Sequence, residues 1–313
     1  MNKYDLIIIG GGAGAFASAI KADELGAKTL LVNKGLPLGG TCVNVGCVPS
    51  KALLWAGEIM HLAKNHNIPG IDIEVKNFDF QKVVRDELDL VARLREEKYE
   101  KVLKNLENVT HIEAEAKFIS ANEIEADGKR YTADKFVIAA GSTAIPPSVD
   151  GIKETGYITH IEALKLQKQP KELIILGAGA LGLEFGQMYA RFGTKVTILQ
   201  RGYPIFKKAE KELTDRLTEI LTKEGITIKT NVSLKAVRKQ DGKKVVSYEM
   251  NGGQEEVSGD KILIATGKTP NTKELDLEKA GVKVDKKQAI AVNENFQTSQ
   301  PHIFAVGDVV NLP

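Results

Sequence analysis

The two cysteines of this chain, Cys42 and Cys47, are its most reactive side chains by type, and both lie in a glycine-rich segment, residues 39–51. Pro49 and the helix-forming run after it predict a helix that begins near Cys47. A helix N-terminus favours the thiolate form of a cysteine, and Lys51 adds a nearby positive charge. The segment therefore predicts a reactive dithiol in which Cys47 ionises readily.

Two other interpretations of these cysteines remain open. Both could be unreactive core residues, although they lie in a glycine-rich turn outside any apolar period. The spacing Cys42-x4-Cys47-x13-His61-x4-His66 also resembles that of a zinc site. It lacks the hairpin of a zinc finger, however, and a chain of this length does not need a metal to fold.

The composition is that of a globular protein without a strong bulk charge. The 313 residues predict about two domains. Lys and Arg number 43 and Asp and Glu 41, so the net charge of +2 favours neither a nucleic acid nor a membrane partner. Hydrophobic residues make up 42% and charged residues 27%, which excludes wholesale disorder. Because the apolar runs are too short for a membrane helix or a signal peptide, we expect a cytoplasmic protein.

The chain contains two copies of one strand–glycine–helix–strand unit, and these must position the cysteines. In each copy an apolar run leads into a glycine cluster, a helix and a second apolar run. Gly10 to Asn33 in the first copy and Gly177 to Gln200 in the second both span 23 residues. This pattern predicts an α/β fold with two nested Rossmann-like dinucleotide-binding domains, built on parallel sheets with hairpin insertions.

The glycines of each copy have the chemistry of a phosphate site. Gly10 and Gly177 allow a tight turn, and Gly12 and Gly179 let the backbone approach a pyrophosphate at a helix N-terminus. Each cluster follows a predicted strand and opens a helix, which is the context that gives this motif its meaning. The alternative is that the glycines only pack a domain that binds no nucleotide.

The connections between the two copies suggest that one domain is inserted into the other. Residues 144–147 and 268–271 are proline-containing hinges, and a last predicted strand, residues 302–306, needs a sheet to join. A long polar helix is predicted for residues 80–106, and Asp-Gly turns at 127–128 and 241–242 predict hairpins. The sequence therefore predicts a first domain at 1–149, a second at 150–269 and a return to the first at 270–313.

Residues 39–51 and the two glycine units resemble the class I flavin-dependent pyridine nucleotide-disulfide oxidoreductases, and residues 265–271 and 305–308 extend the likeness over the whole chain. Within that family, residues 41–51 and 91–99 are most similar to the mercuric reductases. The resemblance implies an oxidoreductase that binds FAD and NAD(P)H and passes hydride equivalents to a Cys42–Cys47 disulfide. A soft dithiol also suits Hg(II), so the two cysteines are candidate ligands for this metal ion as substrate.

The resemblance also implies individual roles. Cys42 is the interchange thiol, Cys47 contacts the flavin, and Lys51 lies near the flavin and pairs with Glu184. Tyr99 falls where mercuric reductases carry an active-site tyrosine, although the sequence alone favours an ordinary tyrosine of an amphipathic helix. The motifs and the resemblance give an FAD-binding set of Gly10, Gly12, Gly14, Ala15, Asn33, Gly40, Thr41, Lys51, Ala140, Gly141, Gly307 and Asp308. The nicotinamide-binding set is Gly177, Gly179, Leu181, Gly182, Gln200, Arg201, Lys207, Thr266 and Gly267.

The second nucleotide site is expected to prefer NADPH. NAD-specific domains place an acidic residue at the end of the second strand, where this chain has Gln200 followed by Arg201. Arg201 and Lys207 would bind a 2′-phosphate that a carboxylate would repel. A solvated Arg201 in a site that accepts both cofactors remains the alternative.

The chain departs from the family pattern at several points. Asn33 replaces the acidic residue that holds the FAD ribose, and Lys268 stands where the family often has arginine. The sequence stops at Pro313, before the family's carboxy-terminal dimer domain, so a homodimer is expected of the complete family member. A dihydrolipoamide-dehydrogenase-like disulfide reductase and a catalytically incomplete cofactor-binding fragment remain the alternatives to mercury reduction.

Overall fold

The computed structural model describes residues 2–310, which divide into two compact units. Unit 1 comprises residues 2–47, 91–143 and 268–310, and unit 2 comprises residues 48–90 and 144–267. The chain thus passes between the units close to both predicted hinges. The segment 48–90, which the sequence-based division placed in the first domain, belongs instead to unit 2. Residues 311–313 of the last predicted segment lie outside the described part.

The secondary structure alternates strands and helices along the chain. The helices are α1 Ala13–Glu24, α2 Gly40–Val45, α3 Cys47–Asn65, α4 Phe80–Arg95, α5 Lys101–Lys104, α6 Ile152–Thr155, α7 His160–Ala163, α8 Ala180–Arg191 and α9 Lys211–Lys223. The strands are β1 Asn2–Ile9, β2 Thr29–Asn33, β3 Val109–Glu113, β4 Ala116–Ser120, β5 Glu123–Ala126, β6 Lys129–Ile138, β7 Ser142–Ala144, β8 Glu172–Leu176, β9 Lys195–Leu199, β10 Thr227–Lys229, β11 Ser233–Gln240, β12 Lys243–Met250, β13 Gly253–Gly259, β14 Lys261–Ile264, β15 Lys268–Pro270 and β16 Ile303–Ala305. A π-helical turn spans Glu96–Glu100, and 3-10 turns span Lys273–Leu275 and Leu277–Ala280.

Unit 1 is built on a parallel sheet in the order β3-β2-β1-β6-β16. The apolar runs of β1 and β2 are buried, as strands covered on both faces require. The antiparallel strands β4 and β5 continue the sheet from β6. The last predicted strand finds its partner here, because β16 pairs with β6.

Unit 2 repeats this plan with a parallel sheet in the order β10-β9-β8-β14. A separate antiparallel sheet, β11-β12-β13, forms the hairpin insertion. The Asp-Gly turns predicted in the two units are present, and Asp127 and Asp241 both have a φ of 50°. Left-handed backbone at these positions is typical of the tight turns that join hairpin strands.

The two sheets share one strand register. Leu6 of β1 pairs with Thr29 of β2, and Leu173 of β8 pairs with Val196 of β9, so the partner lies 23 residues later in both units. This confirms the predicted repeat and the α/β fold class with two Rossmann-like sheets.

The predicted helix 80–106 is present but interrupted. Helix α4 ends at Arg95, and the π-helical turn inserts before α5. A π-helical turn rotates the side chains that follow it, and such turns are frequent at functional sites. No helix within residues 2–310 is both long enough and apolar enough to cross a bilayer.

Candidate active site

The first glycine loop forms an open cradle in unit 1. Gly10 has a φ of +130°, and a Cβ atom at this position would overlap the carbonyl oxygen of Ala139. Gly12 caps the N-terminus of α1, and the nearest atom to a Cβ at this position would be 3.9 Å away. Because the first amides of a helix have no partner within it, this open surface suits a pyrophosphate. The residues present therefore fit the dinucleotide that the motif predicts.

The second glycine loop has the same backbone arrangement in unit 2. Gly177 has a φ of +107°, and a Cβ atom there would overlap the carbonyl oxygen of Ala265. A Cβ at Gly182 would overlap the carbonyl oxygen of Gly177, so the helix packs closely on the turn. Gly179 caps α8 and has no atom within 4 Å of a Cβ position, which leaves its surface open to a phosphate.

The cysteine segment is anchored on the first glycine loop. The amide of Gly39 donates a hydrogen bond to the carbonyl oxygen of Gly11 at 2.7 Å. Gly40 has a φ of +60°, and a Cβ at this position would lie 2.6 Å from the Cα of Gly12. Only glycine permits that approach, so α2 begins directly against the loop. Cys42 consequently lies in the first turn of a helix whose start is fixed to the phosphate cradle.

The two thiols are exposed and joined by a hydrogen bond. Cys42 lies in α2 and Cys47 begins α3. Partial burial, a side-chain hydrogen bond with Cys47 and the negative charge of that sulfur raise the pKa of Cys42 to about 11. The thiol of Cys42, the predicted interchange residue, therefore keeps its proton at neutral pH.

Asn44, which the sequence-based reasoning did not single out, ties the cysteine segment together. It is buried, and its side-chain amide donates to the carbonyl oxygens of Pro37, Leu38 and Gly40 at 2.9 to 3.1 Å. Its carbonyl oxygen accepts a hydrogen bond from Arg95 at 3.3 Å. Because this residue lies between the two cysteines and 51 residues from its arginine partner, only the folded structure identifies the contact.

The predicted tyrosine lies in the electrostatic field of the two cysteines. Tyr99 is in the π-helical turn, where its ring meets Phe16 edge-on with the ring centroids 4.8 Å apart. Two of its ring carbons lie 3.0 Å from the point that a Cβ atom would occupy at Gly39. Burial and the negative charges of Cys42 and Cys47 raise the pKa of Tyr99. The hydroxyl therefore keeps its proton, and it can donate a hydrogen bond to a ligand of the thiols.

The expected pairing of Lys51 with Glu184 is present in unit 2. The Nζ atom of Lys51 in α3 lies 2.6 Å from Oε1 of Glu184 in α8. The side chains remain 59% and 42% exposed, so the pair stays accessible. Lys51 is also four residues after Cys47 on the same helix.

Asp308 is held in its ionised form in unit 1. Its Oδ2 accepts hydrogen bonds from Ser142 Oγ and Lys268 Nζ, each at 2.8 Å. The bond from Lys268 lowers the pKa of Asp308, and the bond from Ser142 adds to the effect. Lys268, noted above as a departure from the family pattern, is thus the ion-pair partner of the predicted FAD ligand.

The backbone beside this carboxylate is fixed by Asn271. Its side-chain amide donates to the carbonyl oxygen of Ala140 at 2.9 Å, and its backbone amide donates to that of Gly141 at 2.9 Å. Asn271 was seen in the sequence only as part of a hinge. It orders two residues of the predicted FAD set.

The two second strands end differently. Asn33 donates to the carbonyl oxygen of Leu36 at 3.0 Å and does not bond the backbone of its own glycine loop in the described structure. Gln200 accepts a hydrogen bond from the amide of Ala178 at 2.9 Å, so it braces the second loop. Both side chains are already engaged within the protein.

The next residues in unit 2 are cationic. Arg201 and Lys207 are both exposed. The Nζ atom of Lys207 lies 2.5 Å from the Cβ position of Gly202, so the lysine folds back beside the end of the strand. The structure thus brings the two predicted phosphate-binding cations to one loop.

The remaining predicted residues take up less distinctive positions. Thr266 donates to the carbonyl oxygen of Ile145 at 2.9 Å, which occupies its hydroxyl. Leu181 is half-buried at the start of α8, and Gly307 has a φ of +81°.

Within residues 2–310 no group of three or more His, Cys, Asp and Glu side chains is arranged to hold a metal, so the zinc alternative finds no support.

Comparison with known proteins shows the family. The model of the family "Pyridine nucleotide-disulphide oxidoreductase" matches residues 4–313, and the chain belongs to this family. It is 41% identical to a mercuric reductase of Staphylococcus aureus over 313 residues, which is 100% of this chain and 57% of that protein. It is 36% identical to a dihydrolipoyl dehydrogenase of Geobacillus stearothermophilus over 316 residues, 99% of this chain and 66% of the relative.

A solved structure gives the same result. The HOCl-induced flavoprotein disulfide reductase RclA from Escherichia coli superimposes with a TM-score of 0.86 at 28% sequence identity, covering 98% of this chain and 66% of that one. The chain thus spans about half to two-thirds of the length of these relatives. Members of this family use FAD and NAD(P)H. Mercuric reductases and dihydrolipoyl dehydrogenases match it at similar identity, so family membership leaves the substrate open.

Proposed function

We propose that this chain carries the cofactor-binding and redox-active part of a reductase in which NADPH reduces the Cys42–Cys47 pair and the pair delivers two electrons to Hg(II). The observation that carries this proposal is the exposed, hydrogen-bonded dithiol anchored on the first glycine loop. A pair of neighbouring thiols can form and break a disulfide, which is a two-electron couple.

The residues divide the work between binding and proton transfer. Gly10, Gly12 and Asp308 would hold FAD, which when bound supplies a two-electron carrier between the nicotinamide and the sulfur atoms. Cys47 supplies the thiolate that the flavin contacts. Cys42, whose pKa is raised to about 11, would release its own proton when its sulfur binds substrate. Overall, NADPH and Hg(II) give NADP⁺, Hg(0) and one proton, so charge and electrons balance.

Mercury is favoured as substrate by the sulfur chemistry and by similarity. Hg(II) is a soft cation, and two adjacent thiols are soft ligands. Three mercuric reductases, from Staphylococcus aureus, Bacillus cereus and Lysinibacillus sphaericus, are 38 to 41% identical to nearly the whole chain. Tyr99 in the field of the thiols would supply a hydrogen-bond donor or a ligand to the bound metal ion.

A disulfide substrate is the second candidate function. Two observations support it: a dihydrolipoyl dehydrogenase is 39% identical to this chain, and the solved relative from Escherichia coli is a flavoprotein disulfide reductase. The same dithiol would exchange with a small disulfide, with Cys42 as the attacking thiol. A homodimer of the whole protein is part of the proposal, as the resemblance to the family implies.

The experiment is a substrate competition on the FAD-loaded protein. NADPH oxidation is followed with Hg(II) bound to excess small thiol, with oxidised lipoamide, and with neither. We expect Hg(II) to give the faster turnover and Cys42→Ser to abolish it. Faster turnover of lipoamide would replace the first candidate with the second, and no flavin reduction by NADPH would contradict both. Ser120→Ala, which removes a surface hydroxyl at the end of β4, serves as the control variant.

A further inference from the structure

Two ion pairs join α3 to α8 in unit 2, and they are spaced identically along both helices. Lys51 pairs with Glu184, and Glu58 pairs with Arg191. Seven residues separate Lys51 from Glu58, and seven separate Glu184 from Arg191. Seven residues are about two helical turns, or roughly 10 Å. The helices therefore run side by side in the same direction. The cation belongs to α3 in the first ion pair and to α8 in the second.

The second ion pair, Glu58–Arg191, is held in place by further contacts of Arg191. Arg191 forms a bidentate pair with Glu224, from Nε to Oε2 at 2.8 Å and from Nη2 to Oε1 at 2.9 Å. The side chain of Arg191 is 11% exposed and that of Glu224 is 9% exposed. Gln187 donates to the same carboxylate at 3.0 Å. Burial alone would lower the pKa of Arg191 and raise that of Glu224, but their pairing shifts both in the opposite directions.

The third guanidinium nitrogen, Nη1, reaches across to Glu58. Glu224 is the C-cap residue directly after α9, so Arg191 is anchored to an element other than α3. Hydrogen bonds along two edges of the planar guanidinium fix its orientation, which a lysine ammonium group would not achieve. Glu58 is therefore the side chain that sets the position of α3 along α8, through its contact with Arg191.

The helices also pack closely at this point. Gly57, buried in α3, has a Cβ position 3.4 Å from the Cβ of Arg191 and 3.6 Å from the carbonyl oxygen of Met188. Such a contact leaves little room for α3 to slide along α8. The exposed Lys51–Glu184 pair, by contrast, makes no bond to a buried side chain among the described residues.

We propose that Glu58 and Arg191 form a positioning pair that sets the register of α3 on α8 and thereby aligns Lys51 with Glu184. Exposed ion pairs are weak and lose side-chain entropy when they form. The Glu58–Arg191 pair, two turns away, already fixes the relative position of the helices. Much of the entropy loss is thereby removed, so the Lys51–Glu184 pair can form. Its consequence for hydride transfer rests on the proposed function, whereas the alignment itself does not.

The first test measures the alignment without any cofactor. Acetylation of lysines by acetic anhydride, resolved by mass spectrometry, reports how far Glu184 protects Lys51, with Lys64 on the same helix as internal reference. Glu184→Gln sets the unprotected level. Glu58→Ala should raise the labelling of Lys51 by about two- to fivefold, toward that level. Glu58→Gln keeps an acceptor for Arg191 and should restore wild-type protection.

A matched control removes an ion pair elsewhere in the same unit. Glu256→Ala breaks the exposed Arg238–Glu256 pair of the hairpin sheet and should leave Lys51 unchanged. Labelling of Lys51 in Glu58→Ala that equals the wild type would overturn the proposal. So would an equal rise in Glu256→Ala, because it would show a general loosening of unit 2.

The second test asks whether the alignment affects chemistry. In FAD-loaded protein, Glu58→Ala should slow flavin reduction by NADPH at least about threefold with an unchanged Kd for NADPH, and Glu58→Gln should restore the rate. An unchanged rate in a variant whose Lys51 is deprotected would overturn the link to hydride transfer. If NADPH reduces no flavin even in the wild type while the labelling changes as expected, the proposed function fails and the positioning pair stands.

Discussion

The two glycine loops show how one backbone can receive different chemistry. Gly10 and Gly177 both have a positive φ, and each lies against the carbonyl oxygen of an alanine at the end of a neighbouring strand. Gly12 and Gly179 both cap a helix and both face open space. The phosphate-binding geometry is therefore set by glycine positions alone.

The surroundings of the loops differ in what approaches them. In unit 1 the cysteine segment packs on the loop through Gly40, whereas in unit 2 the loop is braced by Gln200 and followed by Arg201. One loop thus contacts the cysteine segment, and the other is followed by two cations that we propose bind a phosphorylated ribose. A dinucleotide fold acquires its specific task from the residues added beside the loop, not from the loop itself.

The largest expected effect separates the two loops by mutation. Gly10→Ala and Gly177→Ala each force a Cβ into a backbone carbonyl at a positive φ, at a cost of about 3 kcal/mol or more. Gly10→Ala should abolish FAD binding, whereas Gly177→Ala should keep FAD and lose nicotinamide binding. Released flavin per chain and fluorescence titration with NADPH measure the two outcomes.

The control variants for this comparison are Gly26→Ala and Gly193→Ala, which occupy corresponding positions of the two units. Both have a positive φ, but a Cβ has no atom within 4 Å at Gly26 and only a side-chain nitrogen at 3.9 Å at Gly193. They carry the backbone strain without the overlap, so both should keep both cofactors. Loss of FAD in Gly177→Ala with NADPH retained would reverse the assignment of the two loops.

The second prediction concerns pH and distinguishes unit 2 from unit 1. Glu87 of α4 is 3% exposed, and its carboxylate oxygens have no hydrogen-bond partner among the described residues. Burial raises its pKa to about 7, against the opposing charge of Lys165. The folded protein therefore keeps a proton that the unfolded chain releases near pH 4.5. Stability from this group is complete below pH 4.5 and is lost as the pH rises to about 7, by about 1–3 kcal/mol.

Urea unfolding at pH 5 and pH 8, with hydrogen exchange resolved by peptide, measures this loss. Glu87→Gln should remove the pH dependence from the amides of unit 2 and leave unit 1 unchanged. A wild-type protein equally stable at both pH values would contradict it.

The third and smallest effect concerns the cations of unit 2. Arg201→Ala should weaken NADPH binding by about tenfold, or about 1.4 kcal/mol, and leave NADH binding unchanged, because only NADPH has the 2′-phosphate. Arg216→Ala, which removes an exposed arginine from α9, is the control and should alter neither. An unchanged preference in Arg201→Ala would show that unit 2 does not select its cofactor through this residue.

The features predictable from the sequence are those determined by nearby residues. Apolar runs and the glycine clusters gave the β1–α1–β2 and β8–α8–β9 units, since strand burial and positive φ are local properties. The Asp-Gly hairpins were predictable for the same reason. The cysteine pair and the Lys51–Glu184 contact were accessible because their residues lie in recognisable motifs.

The features that were missed depend on distant residues. The contact between Asn44 and Arg95 spans 51 positions and that between Lys268 and Asp308 spans 40, and no periodicity records such pairs. The π-helical turn that contains Tyr99 was predicted as continuous helix, because one inserted residue hardly changes an amphipathic pattern. The grouping of residues 48–90 with unit 2 follows from packing on α8, which sequence order conceals.

The central claim is that electrons reach the cysteine pair of unit 1, with Cys47 as the thiolate beside the flavin. Mild reduction of the FAD-loaded protein by NADPH, followed by absorption spectroscopy at long wavelength, tests it most directly. We expect a thiolate-to-flavin absorption that disappears in Cys47→Ser and persists in Cys42→Ser. Loss of the absorption in Cys42→Ser and its survival in Cys47→Ser would exchange the two roles, and no absorption in any of the proteins would contradict the account.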